Sequence, residues 1–400
     1  MSSELLRRLR ALQGEARLTQ DEPPGSNDAA WAEEAAQLAA TVHEAPDGVH
    51  FVRSEVRTQP SRHGRAELGH SVVHPWLARW AGGSDMAPKG RVVYLDTETT
   101  GLSGGTGTYV FLIGLGEHHP SEFRVDQLVL PGPEHERAWL HALAQRLEGV
   151  QTLVSYNGAS FDLPLLRTRF AVHGIPDPTE AAVHLDLLPL ARRWWSRTLD
   201  NCSLGTIERE ILGATRSMHD VPGAEVPARY RLYLRTRDAS VLDGVISHNV
   251  EDIVALTALR TRLEHSFTTM DGADFELGAE EAYGIARWLE AIGEEKMARG
   301  YYLRCAESLS HAAWSLARLE RRRGDVASAE RWWLHLAERG EARAWVELAK
   351  LREHHQRNLA GALEAVAAAR SAEGDPGDDL AYRETRLRSK QAAASLRGVD

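Results

Sequence analysis

One strand constrains the fold of this chain more than any other segment. Residues 91–102 read R-V-V-Y-L-D-T-E-T-T-G-L, an apolar run that ends in two carboxylates, Asp96 and Glu98. Side chains alternate between the two faces of a strand, so these acids point the same way and lie side by side. Adjacent buried carboxylates repel each other unless a cation lies between them. Because carboxylate oxygens suit hard divalent cations, the pair predicts a magnesium or manganese site.

The order of elements around this strand predicts an α/β fold. Short apolar runs separated by turns rich in Gly or Pro indicate three strands, at Val92–Asp96, Tyr109–Glu117 and Glu122–Leu130. Helix, strand, helix, strand and helix then follow, the first four at Glu134–Leu147, Thr152–Tyr156, Phe161–His173 and Val183–Leu187. This order resembles that of a ribonuclease-H-like mixed sheet flanked by helices, followed here by an all-α, helical-repeat-like domain.

We expect four segments along the chain. We expect residues 1–90 to form a partly ordered N-terminal arm with a helix near Ala29–Val42. The alternative is that part of this arm packs against the next domain. Residues 91–265 form the ribonuclease-H-like domain. Repeated Ala, Leu and Trp patterns over 280–370 are typical of a tetratricopeptide-like array, with a plain helical bundle as the alternative. Residues 371–400 read as a polar C-terminal tail.

Composition limits the class of protein. The 400 residues are 43% apolar and 26% charged, as in ordinary globular chains. No apolar run reaches the roughly 18 residues of a membrane span, and the polar N-terminus lacks a signal-peptide pattern. The two cysteines, Cys202 and Cys305, are far apart, which argues against a disulfide framework and favours a cytoplasmic location. A net charge of −10 argues against a globally basic nucleic-acid binder.

Two later segments carry acids that can join the first pair. In S-Y-N-G-A-S-F-D-L-P-L, a strand ends, glycine turns the chain, and Asp162 falls in the first turn of a helix, where the helix dipole favours its charge. In H-N-V-E-D-I-V-A-L, His248 and Asp252 are four residues apart and share one helix face. Taken alone, Asp162 is an ordinary helix-start residue and the His–Asp pair an ordinary surface pair.

Together these segments resemble a known family. D-x-E-T-T-G-L, N-x-x-x-F-D and H-N-x-x-D, in this order, resemble the three motifs of the DEDD 3′–5′ exonucleases of the ribonuclease-H-like superfamily. The longer strings L-D-T-E-T-T-G-L-S-G-G-T-G-T-Y-V-F-L-I-G-L-G and N-G-A-S-F-D-L-P-L-L resemble its YprB-like branch, whose members often carry a helical repeat tail. The resemblance spans roughly residues 90–265.

The resemblance implies a set of site residues. Asp96, Glu98, Asp162 and Asp252 match the family's four acids, which bind two Mg²⁺ or Mn²⁺ ions. His248 stands at the position of the general base, but at a spacing that the family shows for a tyrosine, with three residues before the final acid. The family's histidine form usually has four.

The implied activity is metal-dependent 3′–5′ exonuclease cleavage of single-stranded DNA or RNA. A structure-specific endonuclease and a non-catalytic nucleic-acid or protein-binding scaffold are the alternatives. The helical tail would offer a surface to a protein partner or to the nucleic acid, and no membrane partner is expected.

Five further segments invite interpretation. Gly101–Thr108 indicates a tight glycine turn rather than a phosphate loop, because no Lys follows its glycines. Asp186 can support the metal site or cap the next helix, and Met218–Pro227 can rim a groove or simply connect. Residues 192–197, R-R-W-W-S-R, can bind phosphates and stack bases or pack against a neighbouring domain. The run Arg318–Arg323 indicates a solvated helix face.

Overall fold

The computed structural model describes residues 28–82, 90–101, 107–216, 221–268, 277–372 and 379–397. These residues divide into two compact units. The first comprises the described residues up to 191 together with 201–268, and the second comprises 192–200 and the described residues from 277 onward.

The described part of the first unit is built on a seven-stranded mixed sheet, in the order β1-β2-β7-β6-β5-β8-β9, with a separate two-stranded ribbon, β3-β4. The strands are β1 Thr41–Ala45, β2 Gly48–Thr58, β3 Arg62–His63, β4 Ala66–Glu67, β5 Arg91–Thr99, β6 Val110–His119, β7 Glu122–Val129, β8 Val150–Ser155 and β9 Val183–Asp186. Strands β5, β6 and β7 form an antiparallel meander, whereas β5, β8 and β9 run parallel. The predicted ribonuclease-H-like mixed sheet is therefore confirmed.

The sheet extends beyond the segment from which it was predicted. Strand β2 pairs antiparallel with β7 along eight positions, from Phe51 opposite Val129 to Thr58 opposite Glu122. The helix expected over Ala29–Val42 ends at Gln37, and the chain then enters β1. Residues 41–58 thus pack against the next domain, as the alternative for part of the N-terminal segment anticipated, and do so as two strands of its sheet. Strand β2 covers the backbone edge of β7, which would otherwise be left open to pairing with another chain.

Helices cover the sheet of the first unit. Those of the described residues up to 268 are α1 Asp28–Gln37, α2 Pro75–Trp80, α3 Glu136–Leu147, α4 Asp162–Val172, α5 Leu188–Trp195, α6 Leu204–Ile207, α7 Val226–Thr236 and α8 Asp243–Thr268. Helices α3 and α4 contribute Trp139, Leu143 and Phe170 to the main hydrophobic core. No helix in the described ranges is long and apolar enough to cross a membrane.

Alternation along β5 decides which helix its acids face. Val93 and Leu95 belong to the core that α3 and α4 share. Tyr94 faces the opposite way, toward α8, and its ring lies 5.8 Å from the guanidinium carbon of Arg260. Because side chains two residues apart share a face, the acids at the end of β5 point to the α8 side of the sheet.

Two glycines on β6 let α8 lie directly on the sheet. A Cβ atom at Gly114 would fall 2.3 Å from the side-chain oxygen of Asn249, and one at Gly116 would fall 2.5 Å from Ile253. A Cβ atom at either position would force the facing side chain of α8 to move. The glycines of the L-I-G-L-G string therefore set the height of α8 above the sheet.

The described part of the second unit is helical, which confirms the predicted all-α region. Its helices are α9 Ala279–Ala291, α10 Glu295–Cys305, α11 Ser310–Arg322, α12 Val326–Glu338, α13 Ala342–His354, α14 Leu359–Ser371 and α15 Leu380–Arg397. Each helix packs against the next along the chain. Packing of each helix against its neighbour in the chain is compatible with an array of helical pairs. The assignment of these helices as tetratricopeptide-like repeats stays a prediction.

The polar segment at the end of the chain also contains a helix. Residues 371–400 were expected to form a polar tail, but Leu387 of α15 is fully buried. Arg386 and Lys390 of the same helix pair with Glu353 of α13. Because this segment has few apolar residues, its helix is held in place by these ion pairs together with the buried Leu387.

The role of β2 in the core can be measured. Phe51 is 0% exposed, so Phe51→Ala should lower the free energy of unfolding by about 3–5 kcal/mol. Val56 lies on the same strand and is 47% exposed, so Val56→Ala should change the free energy of unfolding by less than about 1 kcal/mol. Urea titration followed by tryptophan fluorescence compares the two. Equal, small effects would contradict the placement of residues 41–58 in the core.

Candidate active site

Asp96 lies near the end of β5, against helix α8. Its Oδ2 accepts a hydrogen bond of 2.8 Å from the side-chain amide of Asn249. Burial raises its pKa well above the usual range, and the charges of Asp252, Glu98 and Asp162 raise it further. The four acids that the sequence singled out therefore lie close enough together to interact through their charges.

Glu98 is subject to the same crowding. Burial raises its pKa to about 8, and the charges of Asp252 and Asp162 add to the shift, whereas protonation of His248 opposes it. A carboxyl group with such a pKa holds its proton near neutral pH. Ionising Glu98 in this structure therefore costs more free energy than the neighbouring His248 and Arg216 return.

Asp162 is the first residue of α4. It accepts a hydrogen bond from the hydroxyl of Thr97, which lies between the two acids of β5. Burial raises the pKa of Asp162, and this hydrogen bond opposes the shift. The helix start and the end of β5 are thereby linked.

Asp186, at the end of β9, holds the loop that leads to α4. Its carboxylate accepts backbone hydrogen bonds from Asn157 at 2.7 Å and Ala159 at 3.1 Å. It also accepts one from Leu188 at 3.0 Å, at the start of α5. Asp186 therefore caps the next helix and holds the loop before Asp162. Its support of a metal site stays a prediction.

His248 and Asp252 lie one turn apart on α8, with His248 Nε2 3.3 Å from Asp252 Oδ2. Arg216 lies beside both, donating to Asp252 Oδ1 and placing Nη1 3.2 Å from His248 Nδ1. A guanidinium only donates, so in this arrangement Nδ1 is the acceptor and the ring proton is on Nε2. Sequence reasoning gave Arg216 no role.

Arg216 is itself held by a buried acid. It donates to Glu208, whose side chain is 1% exposed. The same carboxylate lies 2.6 Å from Nε2 of His63, which belongs to the β3–β4 ribbon. Neither partner carries a motif that a single sequence would reveal, because His63 lies 145 residues from Glu208 and Arg216 lies 36 residues from Asp252.

A buried amide chain positions Asp96. Asn249 and Gln127 are both 0% exposed, and Gln127 Nε2 donates to Asn249 Oδ1 at 2.9 Å. Arg53 of β2 donates to the Gln127 oxygen at 3.0 Å. The chain of bonds thus runs from β2 through β7 and α8 to the acid on β5. The only sequence signal was the Asn in H-N-V-E-D.

A cavity of about 510 Å³ opens beside the acids, with Asp96 and Asp162 in its wall. Phe161 also lines it and is 54% exposed, so it does not anchor its segment. Leu163, which is 3% exposed, is the anchor.

The structure describes only part of the two loops that the sequence singled out, Gly101–Thr108 and Met218–Pro227. Gly101 and Thr108 line the same cavity, while residues 102–106 of the glycine turn lie outside the described residues. Residues 218–220 of the Met218–Pro227 loop also lie outside them.

The donor set suits a hard divalent cation, because Asp162 and Asp252 raise the pKa of both Asp96 and Glu98. Oxygen ligands are also those that Mg²⁺ and Mn²⁺ prefer. Among the described residues, however, no three His, Cys, Asp or Glu side chains are arranged so that they could hold a metal ion. Asp252 is engaged by Arg216 and Asp162 by Thr97. A bound cation would compete with Arg216 for Asp252.

Comparison with known proteins agrees with the fold. A model of the RNase_H superfamily matches residues 93–264. The chain is 32% identical to the uncharacterized protein YprB of Bacillus subtilis (strain 168) over an alignment of 288 residues, which covers 70% of this chain and 68% of that protein. The chain therefore belongs to the YprB family of the ribonuclease H superfamily.

Proposed function

We propose that the first unit is a metal-dependent nuclease that removes nucleotides from the 3′ ends of single-stranded DNA or RNA. The observation that carries this proposal is the convergence of Asp96, Glu98, Asp162 and Asp252, from one strand and two helices, into one group of interacting charges. Membership of the ribonuclease H superfamily supports a nucleic-acid substrate. A scaffold without catalytic function has no use for four mutually repelling buried acids.

The four carboxylates would hold two Mg²⁺ or Mn²⁺ ions. Bound divalent ions would lower the pKa of a water molecule and stabilise charge on the phosphate. Asn249 would fix the orientation of Asp96, and Thr97 that of Asp162. The half-exposed ring of Phe161 beside the cavity would stack on a base of the strand end.

His248 is the proposed general base, and its surroundings define what this role requires. A neutral imidazole has one nitrogen free of a proton, and here that nitrogen, Nδ1, faces Arg216. Proton transfer from water to His248 thus requires Arg216 to shift. The alternative role of His248 is to position Asp252, whose Oδ2 lies 3.3 Å from His248 Nε2.

The acids can be tested through both activity and stability. Asp96→Asn should reduce cleavage of a labelled oligonucleotide to background. In EDTA it should also raise the melting temperature, because one repelling charge is lost, and it should abolish the further rise that Mn²⁺ gives the wild type. Asp126→Asn, on β7 and outside the acidic group, is the matched control and should leave all three readings unchanged. Full activity in Asp96→Asn would refute the assignment.

The position of the cut is a separate question. Linear and circular single-stranded DNA of the same sequence should be compared, because a pure exonuclease has no end to attack on a circle. We expect degradation of the linear form alone, from the 3′ label. Cleavage of the circle would replace the exonuclease with a structure-specific endonuclease of the same fold.

The two roles of His248 predict different outcomes for His248→Ala. If it accepts the proton, kcat should fall by about 10²–10⁴-fold while the Kd of Mn²⁺, from calorimetric titration, is kept. A loss of Mn²⁺ affinity in step with kcat would instead indicate the positioning role. An unchanged rate would exclude both.

Arg216 should act on metal affinity. Arg216→Met frees Asp252 Oδ1 and removes a positive charge, so the Kd of Mn²⁺ should fall by about tenfold, or ~1.4 kcal/mol. Arg216→Lys keeps the charge and serves as the control, and circular dichroism checks that each variant folds. Weaker Mn²⁺ binding in Arg216→Met would mean that Arg216 holds Asp252 in place for the metal.

A further inference from the structure

The second unit contains a cavity larger than the one beside the acids. It measures about 710 Å³ and lies among helices α9, α10 and α11. Three arginines line it, Arg287 of α9 and Arg318 and Arg322 of α11, against two carboxylates, Glu290 and Glu295. Tyr283 and Trp314 line it as well. Arginine and aromatic side chains thus face one space, which we call the basic groove.

The positive charge of the basic groove is only partly neutralised. Arg322 pairs with Glu290, which also accepts a hydrogen bond from the hydroxyl of Tyr302. In the described part of the chain, by contrast, neither Arg287 nor Arg318 forms an ion pair with a carboxylate. Arg318 and Arg322 are four residues apart and share a face of α11. The run Arg318–Arg323, expected to be a solvated surface, therefore contributes two arginines to a cavity.

The second basic segment of the sequence meets the same helix. Residues 192–200 belong to this unit, and the guanidinium of Arg197 lies 5.0 Å from the ring centre of Tyr283. A Cβ atom at Gly284 of α9 would fall 2.6 Å from the backbone oxygen of Arg193. Two basic stretches that are distant in sequence thus converge on α9.

The aromatic members of these segments differ in exposure. Trp194 and Trp195 are 1% and 3% exposed, so they pack and cannot stack bases. Trp314 is half-buried in the groove wall, where Trp333 holds it edge-on at 4.5 Å between ring centres. Trp314 is therefore the stacking surface that the groove offers.

We propose that the basic groove binds a stretch of single-stranded nucleic acid, with Arg287 and Arg318 on its phosphates and Trp314 on a base. Arginines beside an aromatic ring are the combination that unpaired strands need. An acidic peptide would form ion pairs with the arginines but would have no base to stack on the ring of Trp314. That the ligand is a nucleic acid rests on the proposed nuclease function of the first unit, whereas a binding titration requires no cleavage.

The test measures binding by the full chain in EDTA. Fluorescence anisotropy of labelled dT20 and rU20 gives Kd at several salt concentrations for the wild type and for Arg287→Gln/Arg318→Gln. We expect Kd to rise at least about tenfold and the slope of log Kd against log salt to fall by about 1.4, the value for two lost phosphate contacts on a single strand. Trp314→Leu should weaken binding without changing the slope.

The control removes the same charge elsewhere in the unit. Arg370 and Arg388 both pair with Glu384, and Arg370→Gln/Arg388→Gln should leave Kd within about twofold, since the pair lines no part of the groove. Equal losses in both double variants would overturn the proposal, as would binding of a poly-glutamate peptide that the oligonucleotides cannot displace. Arginine-dependent binding by a chain that cleaves nothing would support the groove and refute the nuclease function.

Discussion

Repulsion among buried carboxylates is the constraint on which the rest of the first unit depends. Asp96 and Glu98 share a face of β5, and Asp252 and Asp162 approach them from two helices and raise the pKa of both. A fold that gathers such charges must supply positive charge or hydrogen-bond donors around them. Here the amide of Asn249, the hydroxyl of Thr97 and the guanidinium of Arg216 do so in part.

The scaffold that holds this arrangement is the contact between α8 and the sheet. Gly114 and Gly116 leave room for the helix, and the helix carries Asn249 and Asp252 to the end of β5. The buried chain from Arg53 through Gln127 then ties the N-terminal strand β2 to the same point. Strand β2 thus has two functions, since it pairs with the edge of β7 and supports the proposed site.

The sequence predicted what depends on local pattern. Alternation in β5, the glycine turn before Asp162 and the helical spacing of His248 and Asp252 are short-range signals, and the fold around them is confirmed. Strand β2 escaped prediction because histidine and arginine interrupt its apolar run, and α15 because ion pairs rather than an apolar face hold it. Arg216 and Gln127 act through partners distant in the chain, which no local pattern encodes.

The central claim is that Asp96, Glu98, Asp162 and Asp252 together form a divalent-cation site. Anomalous X-ray diffraction from crystals of the full chain grown with MnCl2 tests it most directly. The account predicts anomalous peaks bonded to these four carboxylates, with Asp252 turned from Arg216 toward the metal. Anomalous peaks only at other positions, with the Arg216–Asp252 pair intact, would contradict it.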